Sequence, residues 1–95
     1  MEVTWNDIKD EIPYLNIIDV RDSYLFKSKR IIGSKNIPYQ FLLINPSDYL
    51  TKNKEYYIIC EYGIKSKMLS SILNKKGYNV KNVIGGIKLY EKMIK

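Results

Sequence analysis

The chain predicts an α/β fold, a small parallel sheet with helices on both faces. Short apolar runs alternate with stretches of helical spacing through most of its 95 residues. The run Asn16-Ile17-Ile18-Asp19-Val20 is mostly apolar on both faces, as a central parallel strand is. A second run, Tyr56-Tyr57-Ile58-Ile59-Cys60, has the same character and leads directly into a loop and a helix.

The elements follow in order. Thr4 stands before Trp5-Asn6-Asp7-Ile8 with an acid three residues on, which predicts a helix start. Pro13 is expected to end that helix. After the Asn16–Val20 strand, Asp22 is placed to cap a brief helix through Ser23-Tyr24-Leu25-Phe26. Lys27 to Lys35 is basic, with Gly33 as its turn. Asn36-Ile37-Pro38 reads as a very short strand, and Pro38 confines it to an edge or an end. Tyr39 to Ile44 carries Phe41, Leu42 and Ile44 at helical spacing, and Asn45-Pro46-Ser47-Asp48 breaks it. Lys52-Asn53-Lys54 is a polar turn before the Tyr56–Cys60 strand. Met68, Leu69, Ile72 and Leu73 then recur at helical intervals, and Lys75-Lys76-Gly77 closes that helix. Val80 to Ile84 is one more strand, Gly85-Gly86 a turn, and Ile87, Leu89, Tyr90, Met93 and Ile94 mark a last helix.

Composition narrows the function. The length suits one domain, residues 1–95. The hydrophobic share of 45% and charged share of 27% are those of an ordinary globule. No apolar stretch approaches the ~20 residues of a membrane span. The first residues lack a basic region followed by an apolar one, so no secretory signal is read. A single cysteine forms no internal disulfide, which fits a cytoplasmic protein. The net charge of +6 suits a small anionic substrate, a nucleic acid or merely a solvated surface. The lysines are scattered, with no run of five and no regularly spaced aromatics, which argues against nucleic acid. There is no histidine, hence no Cys-His pair and no histidine metal site. There is no Cys-x-x-Cys, P-loop or dinucleotide fingerprint. Neither metal nor cofactor is expected.

Cys60 is the remaining centre of chemistry. It ends a strand and faces a loop, Glu61-Tyr62-Gly63-Ile64-Lys65-Ser66, that opens a helix. Free cysteine is often simply a buried small hydrophobe. A helix start, however, offers unpaired N–H groups and a positive dipole end, which favour a thiolate. Lys65 and Lys67 add charge on the same side. A cation at a helix start meets the positive pole and is better explained by an anion bound there. Gly63 supplies the backbone freedom a curled loop needs. Ser66 reads as a helix cap or as a hydroxyl lent to the sulfur. Ligands of such folds sit beyond the carboxyl ends of strands, where both Cys60 and Asp19 lie.

Five segments together resemble the rhodanese-like sulfurtransferase family. They are Ile17-Ile18-Asp19-Val20-Arg21, the aromatics Tyr24 and Phe26, Gly33-Ser34-Lys35-Asn36-Ile37-Pro38, the loop Cys60-Glu61-Tyr62-Gly63-Ile64-Lys65-Ser66, and Gly85-Gly86 followed by Tyr90. The match spans nearly the whole chain. Two positions depart from the family pattern: Lys65 stands for the usual loop arginine, and Arg30 for a histidine before the Gly33 segment. Lysine keeps the charge but not the planar two-pronged fork.

The resemblance implies a cysteine persulfide on Cys60. Sulfur would come from thiosulfate or another persulfide donor and pass to a thiol, a protein acceptor or cyanide. Residues 61–66 would form the persulfide-binding loop. Asp19, Arg21 and Arg30 would support it, the first two as architecture, with Arg30, Lys27, Lys29 and Lys35 at the mouth or on a wet surface. Glu61 and Tyr62 are expected to point outward and shape acceptor choice. Tyr39, Tyr49, Tyr78 and Trp5 read as packing. The Cys-x5-Arg spacing of the tyrosine phosphatases would need arginine where Ser66 stands, so phosphatase activity is not expected. The alternative within the family is a non-catalytic binding or regulatory module. A monomer is the expected state.

Overall fold

The computed structural model describes residues 1–94. Five strands, β1 (Glu2–Val3), β2 (Ile17–Asp19), β3 (Lys35–Asn36), β4 (Glu55–Ile59) and β5 (Asn79–Val83), form one sheet in the order β1-β5-β4-β2-β3. Every pairing is parallel. Five helices connect or flank the strands: α1 (Trp5–Ile8), α2 (Ser23–Ser28), α3 (Tyr39–Ile44), α4 (Ile64–Lys75) and α5 (Gly86–Met93). Short 3-10 turns cover Ile12–Tyr14 and Pro46–Asp48.

Alternation along β4 divides the core into two layers. Tyr56, Ile58 and Cys60 join Ile18, Val20, Leu42, Leu69, Leu73 and Val80 on one face, beneath α3 and α4. Tyr57 and Ile59 join Trp5, Ile8, Ile17, Val83 and Ile87 on the other, beneath α1 and α5. Burial of each large aliphatic side chain contributes about 1.5–3 kcal/mol. The central strand is apolar from Tyr56 to Ile59 because both its faces are covered there. The helices do lie on both faces, as the alternating pattern predicts.

Several local expectations hold in detail. Thr4 and Asp7 form a reciprocal cap, with Asp7 N–H donating to Thr4 Oγ1 at 3.2 Å and Thr4 N–H to Asp7 Oδ2 at 2.9 Å. The edge position of β3 fits the proline that follows it.

Others need correction. The first helix ends at Ile8, and Pro13 sits within a separate 3-10 turn. Asp22 occupies the position before α2 but makes no side-chain cap. Helix α3 spans Tyr39–Ile44 as expected, but of its apolar residues only Leu42 is buried, whereas Phe41 and Ile44 face solvent. Met68 is likewise exposed, since α4 buries Ser66, Leu69, Ser70 and Leu73. Strand β1 has no counterpart in the sequence reading. It pairs with β5 through Glu2 opposite Asn82 and Val3 opposite Val83.

Candidate functional site

The carboxyl ends of the adjacent strands β2 and β4 open into a pocket of about 400 Å³. Cys60 is one of its lining residues and is 6% exposed. The floor and walls come from Val20, Arg21, Leu25, Tyr39 and the loop residues Glu61, Tyr62, Ile64 and Lys65. The position follows from β4: Cys60 comes directly after the strand's last residue, Ile59, and points to the α4 face where the strand hands over to the loop and helix.

The loop curls around the sulfur. Gly63 N–H donates to Cys60 Sγ at 3.1 Å, and Ser66 N–H donates to it at 3.3 Å. The Ser66 hydroxyl lies 3.1 Å from the same sulfur. The amides of Ile64 and Lys65 belong to the first turn of α4 and have no intrahelical acceptor. Gly63 has φ of +86°, the left-handed conformation that turns the loop into the helix. A side chain there would also meet Gly85 N at 2.8 Å.

Helix α5 braces this curl from behind. Ile87 N–H donates to the Cys60 carbonyl and Lys88 N–H to the Glu61 carbonyl, each at 2.9 Å. These are first-turn amides of α5 spent on loop carbonyls rather than on solvent. Gly86 makes the approach possible. It has φ of +59°, and a Cβ there would run into the Cys60 and Glu61 carbonyl oxygens. The Trp5 indole N–H reaches the Gly86 carbonyl at 2.9 Å, so α1 fixes the same turn.

Asp19 and Arg21 form a buried ion pair below the loop. Arg21 Nη2 lies 2.8 Å from Asp19 Oδ2, and its Nε is shared between both carboxylate oxygens at 3.1 Å. The Arg21 backbone N–H donates to Asp19 Oδ1 at 3.0 Å. The guanidinium also holds the Lys29 carbonyl and Glu61 Oε1. Burial opposes the Arg21 charge, but the hydrogen bonds and fields of Asp19 and Glu61 outweigh it and hold its pKa above the ordinary value.

The residues expected at the site therefore divide. Cys60 and residues 61–66 come together, with Asp19 and Arg21 just beneath. Glu61 turns toward Arg21 rather than fully outward, at 3.2 Å. Tyr62 does point out, 63% exposed. Lys65 lines the pocket and has no ion-pair partner among the described residues. Lys67 faces elsewhere and pairs with Glu2 at 3.7 Å. Arg30 lies over the Phe26 ring at 5.1 Å, away from the pocket lining. Lys27, Lys29 and Lys35 are outside that lining too. Ser66 is not a cap. Its hydroxyl donates to Asn82 Oδ1 inside the protein. Trp5 and Tyr78 are core, as expected, while Tyr39 both packs on the core and walls the pocket.

Asn82 was missed. It is 1% exposed on β5 beside the buried Val80 and Val83, and an amide among those valines is the available signal. No group of three or more metal-ligating side chains occurs among the described residues.

Comparison with known proteins agrees with this fold. The profile of the rhodanese-like domain matches residues 4–93. The chain belongs to the rhodanese-like domain family. It is 35% identical over 75 residues to the putative sulfur carrier protein YrkF of Bacillus subtilis, covering 78% of this chain and 40% of that one. It is 32% identical over 82 residues to the adenylyltransferase and sulfurtransferase UBA4 of Lodderomyces elongisporus, covering 75% of this chain and 18% of the relative. The chain thus spans less than half of either of these relatives. A rhodanese-related protein from Thermoplasma volcanium superposes with a TM-score of 0.88 at 27% identity, covering 97% of this chain and 91% of that one. No helix among the described residues is long and apolar enough to cross a membrane.

Proposed function

We propose that this rhodanese-like domain is a sulfurtransferase that carries a sulfane sulfur as a persulfide on Cys60. The observation that carries the reading is the sulfur of a pocket-lining cysteine that accepts from the N–H groups of Gly63 and Ser66. Two amides aimed at one atom stabilise negative charge there, as in other anion-binding nests. The first-turn amides of Ile64 and Lys65 and the Lys65 ammonium are available to a further anionic atom beyond Sγ.

The chemistry balances in two halves. The Cys60 thiolate attacks the outer sulfur of thiosulfate or of a persulfide donor. A bond forms between Sγ and that sulfur, and the donor's sulfur–sulfur bond breaks. With thiosulfate, the electron pair leaves on sulfite. The persulfide then holds its charge on the outer sulfur, within reach of the loop. An acceptor thiolate or cyanide attacks the outer sulfur, and the electron pair of the Sγ–S bond returns to Cys60. No net redox equivalent is needed, which agrees with a chain that has no second cysteine to supply one.

Loop length favours a single sulfur over a phosphate group. Six residues run from Cys60 to Lys65, and position 66 is a buried serine rather than arginine. The names of the relatives, a sulfur carrier and a sulfurtransferase, support sulfur as the cargo. A lysine in place of a two-pronged arginine favours relay from a persulfide over capture of free thiosulfate.

Intact mass after incubation with thiosulfate or inorganic polysulfide tests the proposal. The expected result is a gain of one sulfur atom, absent in Cys60→Ala and reversed by reductant. No gain with either donor would overturn it.

A further inference from the structure

The Ser66 hydroxyl has one proton and two claimants for it. Its Oγ lies 3.1 Å from Cys60 Sγ and also donates to Asn82 Oδ1. The Asn82 amide is oriented from its other end. Its Nδ2 donates to the Gly63 carbonyl at 3.2 Å and to Glu2 Oε2 at 2.9 Å. Both partners only accept, so the nitrogen faces them and the oxygen faces Ser66. An amide oxygen cannot donate. The Ser66 proton therefore goes to Asn82, or a buried oxygen is left unpaired. With the proton there, the contact between sulfur and hydroxyl is a hydrogen bond only when Cys60 is a thiol and donates. An ionised sulfur requires the hydroxyl to turn around.

We propose that Asn82 is a positioning residue for Cys60. It sets which way the Ser66 hydroxyl points and so biases the charge state of the sulfur. When a thiolate forms, the hydroxyl rotates from Asn82 Oδ1 to Sγ, and the amide oxygen loses its donor. When Cys60 carries sulfur, the charge moves to the outer atom and the hydroxyl swings back to Asn82. As the outer sulfur leaves for an acceptor, the hydroxyl turns again and stabilises Sγ as the leaving thiolate. The last two steps rest on the persulfide reading of Cys60; the first does not.

Other charges act on the same sulfur. Arg21, Asp22, Tyr39, Glu61, Tyr62 and Lys65 line its pocket. Glu2 stands behind Asn82 with Lys67 beside it. The pocket residues are untouched by the variants below and form a common background; Glu2 loses its Asn82 contact in every Asn82 variant, in the Ser66→Ala background as in the parent.

The pH profile of Cys60 alkylation by iodoacetamide tests the assignment without any sulfur donor. Asn82→Ala leaves the hydroxyl free for the sulfur, so the alkylation midpoint falls by about half to one pH unit. Ser66→Ala removes the donor and raises the midpoint. In the Ser66→Ala background, adding Asn82→Ala moves it no further. A midpoint unmoved by Asn82→Ala, or moved equally in both backgrounds, overturns the proposal. Asn82→Leu fills the space without an acceptor and gives the same readout should the alanine variant unfold. The infrared S–H stretch of the unmodified protein needs no variant at all. A frequency lowered from that of a free thiol is expected, and a free-thiol frequency overturns the proposal. Sulfur uptake is measured separately by mass, so its failure would remove the persulfide reading and leave the alkylation result standing.

Discussion

Arg21 links the end of β2 to the loop around Cys60 by reaching Glu61 Oε1 at 3.2 Å while remaining paired with the fully buried Asp19. One guanidinium thereby ties the scaffold under the sulfur to the loop that surrounds it. Its Nε, Nη1 and Nη2 donors are spread over Asp19, Glu61 and the Lys29 carbonyl, a set that an ammonium cannot reproduce.

Replacing Arg21 by methionine leaves the Asp19 carboxylate buried and unpaired. The loss is expected to be about 3–5 kcal/mol of folding stability. Arg21→Lys recovers only part of it. Urea unfolding followed by far-UV circular dichroism measures both, and a methionine variant as stable as the parent would contradict the assignment.

Gly86→Ala places a methyl against the carbonyls of Cys60 and Glu61 at a positive φ. The expected cost is ~1–3 kcal/mol, with slower alkylation of Cys60 because the loop must shift. Gly33→Ala makes a control, since nothing lies within 4 Å of a Cβ there and only the left-handed φ is strained. Equal alkylation rates in the two variants would argue against close packing behind the loop.

Lys65 is expected to act through its charge on an anionic donor. Lys65→Gln should slow persulfide formation from thiosulfate about fivefold at low salt, the effect of ~1 kcal/mol of attraction. The deficit should shrink in 0.5 M salt, where screening is short-ranged. Lys65→Arg should exceed the parent with thiosulfate, because it offers two parallel donors. Equal rates in the parent and Lys65→Arg would remove the preference for a persulfide donor.

Stability should fall at both extremes of pH through one contact. The Tyr57 hydroxyl donates to Glu55 Oε1 at 2.7 Å, and Lys81 pairs with Glu55 Oε2 at 2.7 Å. Burial, with help from Glu55, pushes the Tyr57 phenol up to about 12 from its usual 10.0. A raised value favours the protonated form in the fold, so this contribution is complete below pH 10 and is lost as pH climbs toward 12. The Glu55 carboxyl is lowered from 4.5, first by Lys81 and then by Tyr57. Its contribution is present above that value and disappears as acid protonates it. Denaturant titrations of Tyr57→Phe against the parent should show a shallower alkaline decline. Identical slopes above pH 10 would refute the assignment.

Much of this was legible in the residues because burial on two faces leaves a plain mark. Strands β2 and β4 are mostly apolar runs, and α4 closes on a lysine pair and glycine. Cys60 and its loop stood out for the same reason: a strand end met a helix start. The rest depended on contacts between distant segments. Strand β1 is two residues long and carries no periodic pattern, so only its pairing with β5 defines it. Lys67 looked equivalent to Lys65 along the chain, yet two positions on a helix are about 200° apart, and it turns to Glu2. The exposed Phe41 and Ile44 share a helical pattern with Leu42 but not its neighbours. Asn82 gained its meaning only once β5 was laid beside α4.

The loop carbonyls held by Ile87 and Lys88 give the C-terminal helix an influence out of proportion to its distance along the chain. It lends no side chain to the pocket lining, yet fraying of its first turn would slacken the cradle around Cys60. Anything that peels α5 away, whether truncation, proteolysis or a competing partner, would release the loop around Cys60 without touching the sulfur.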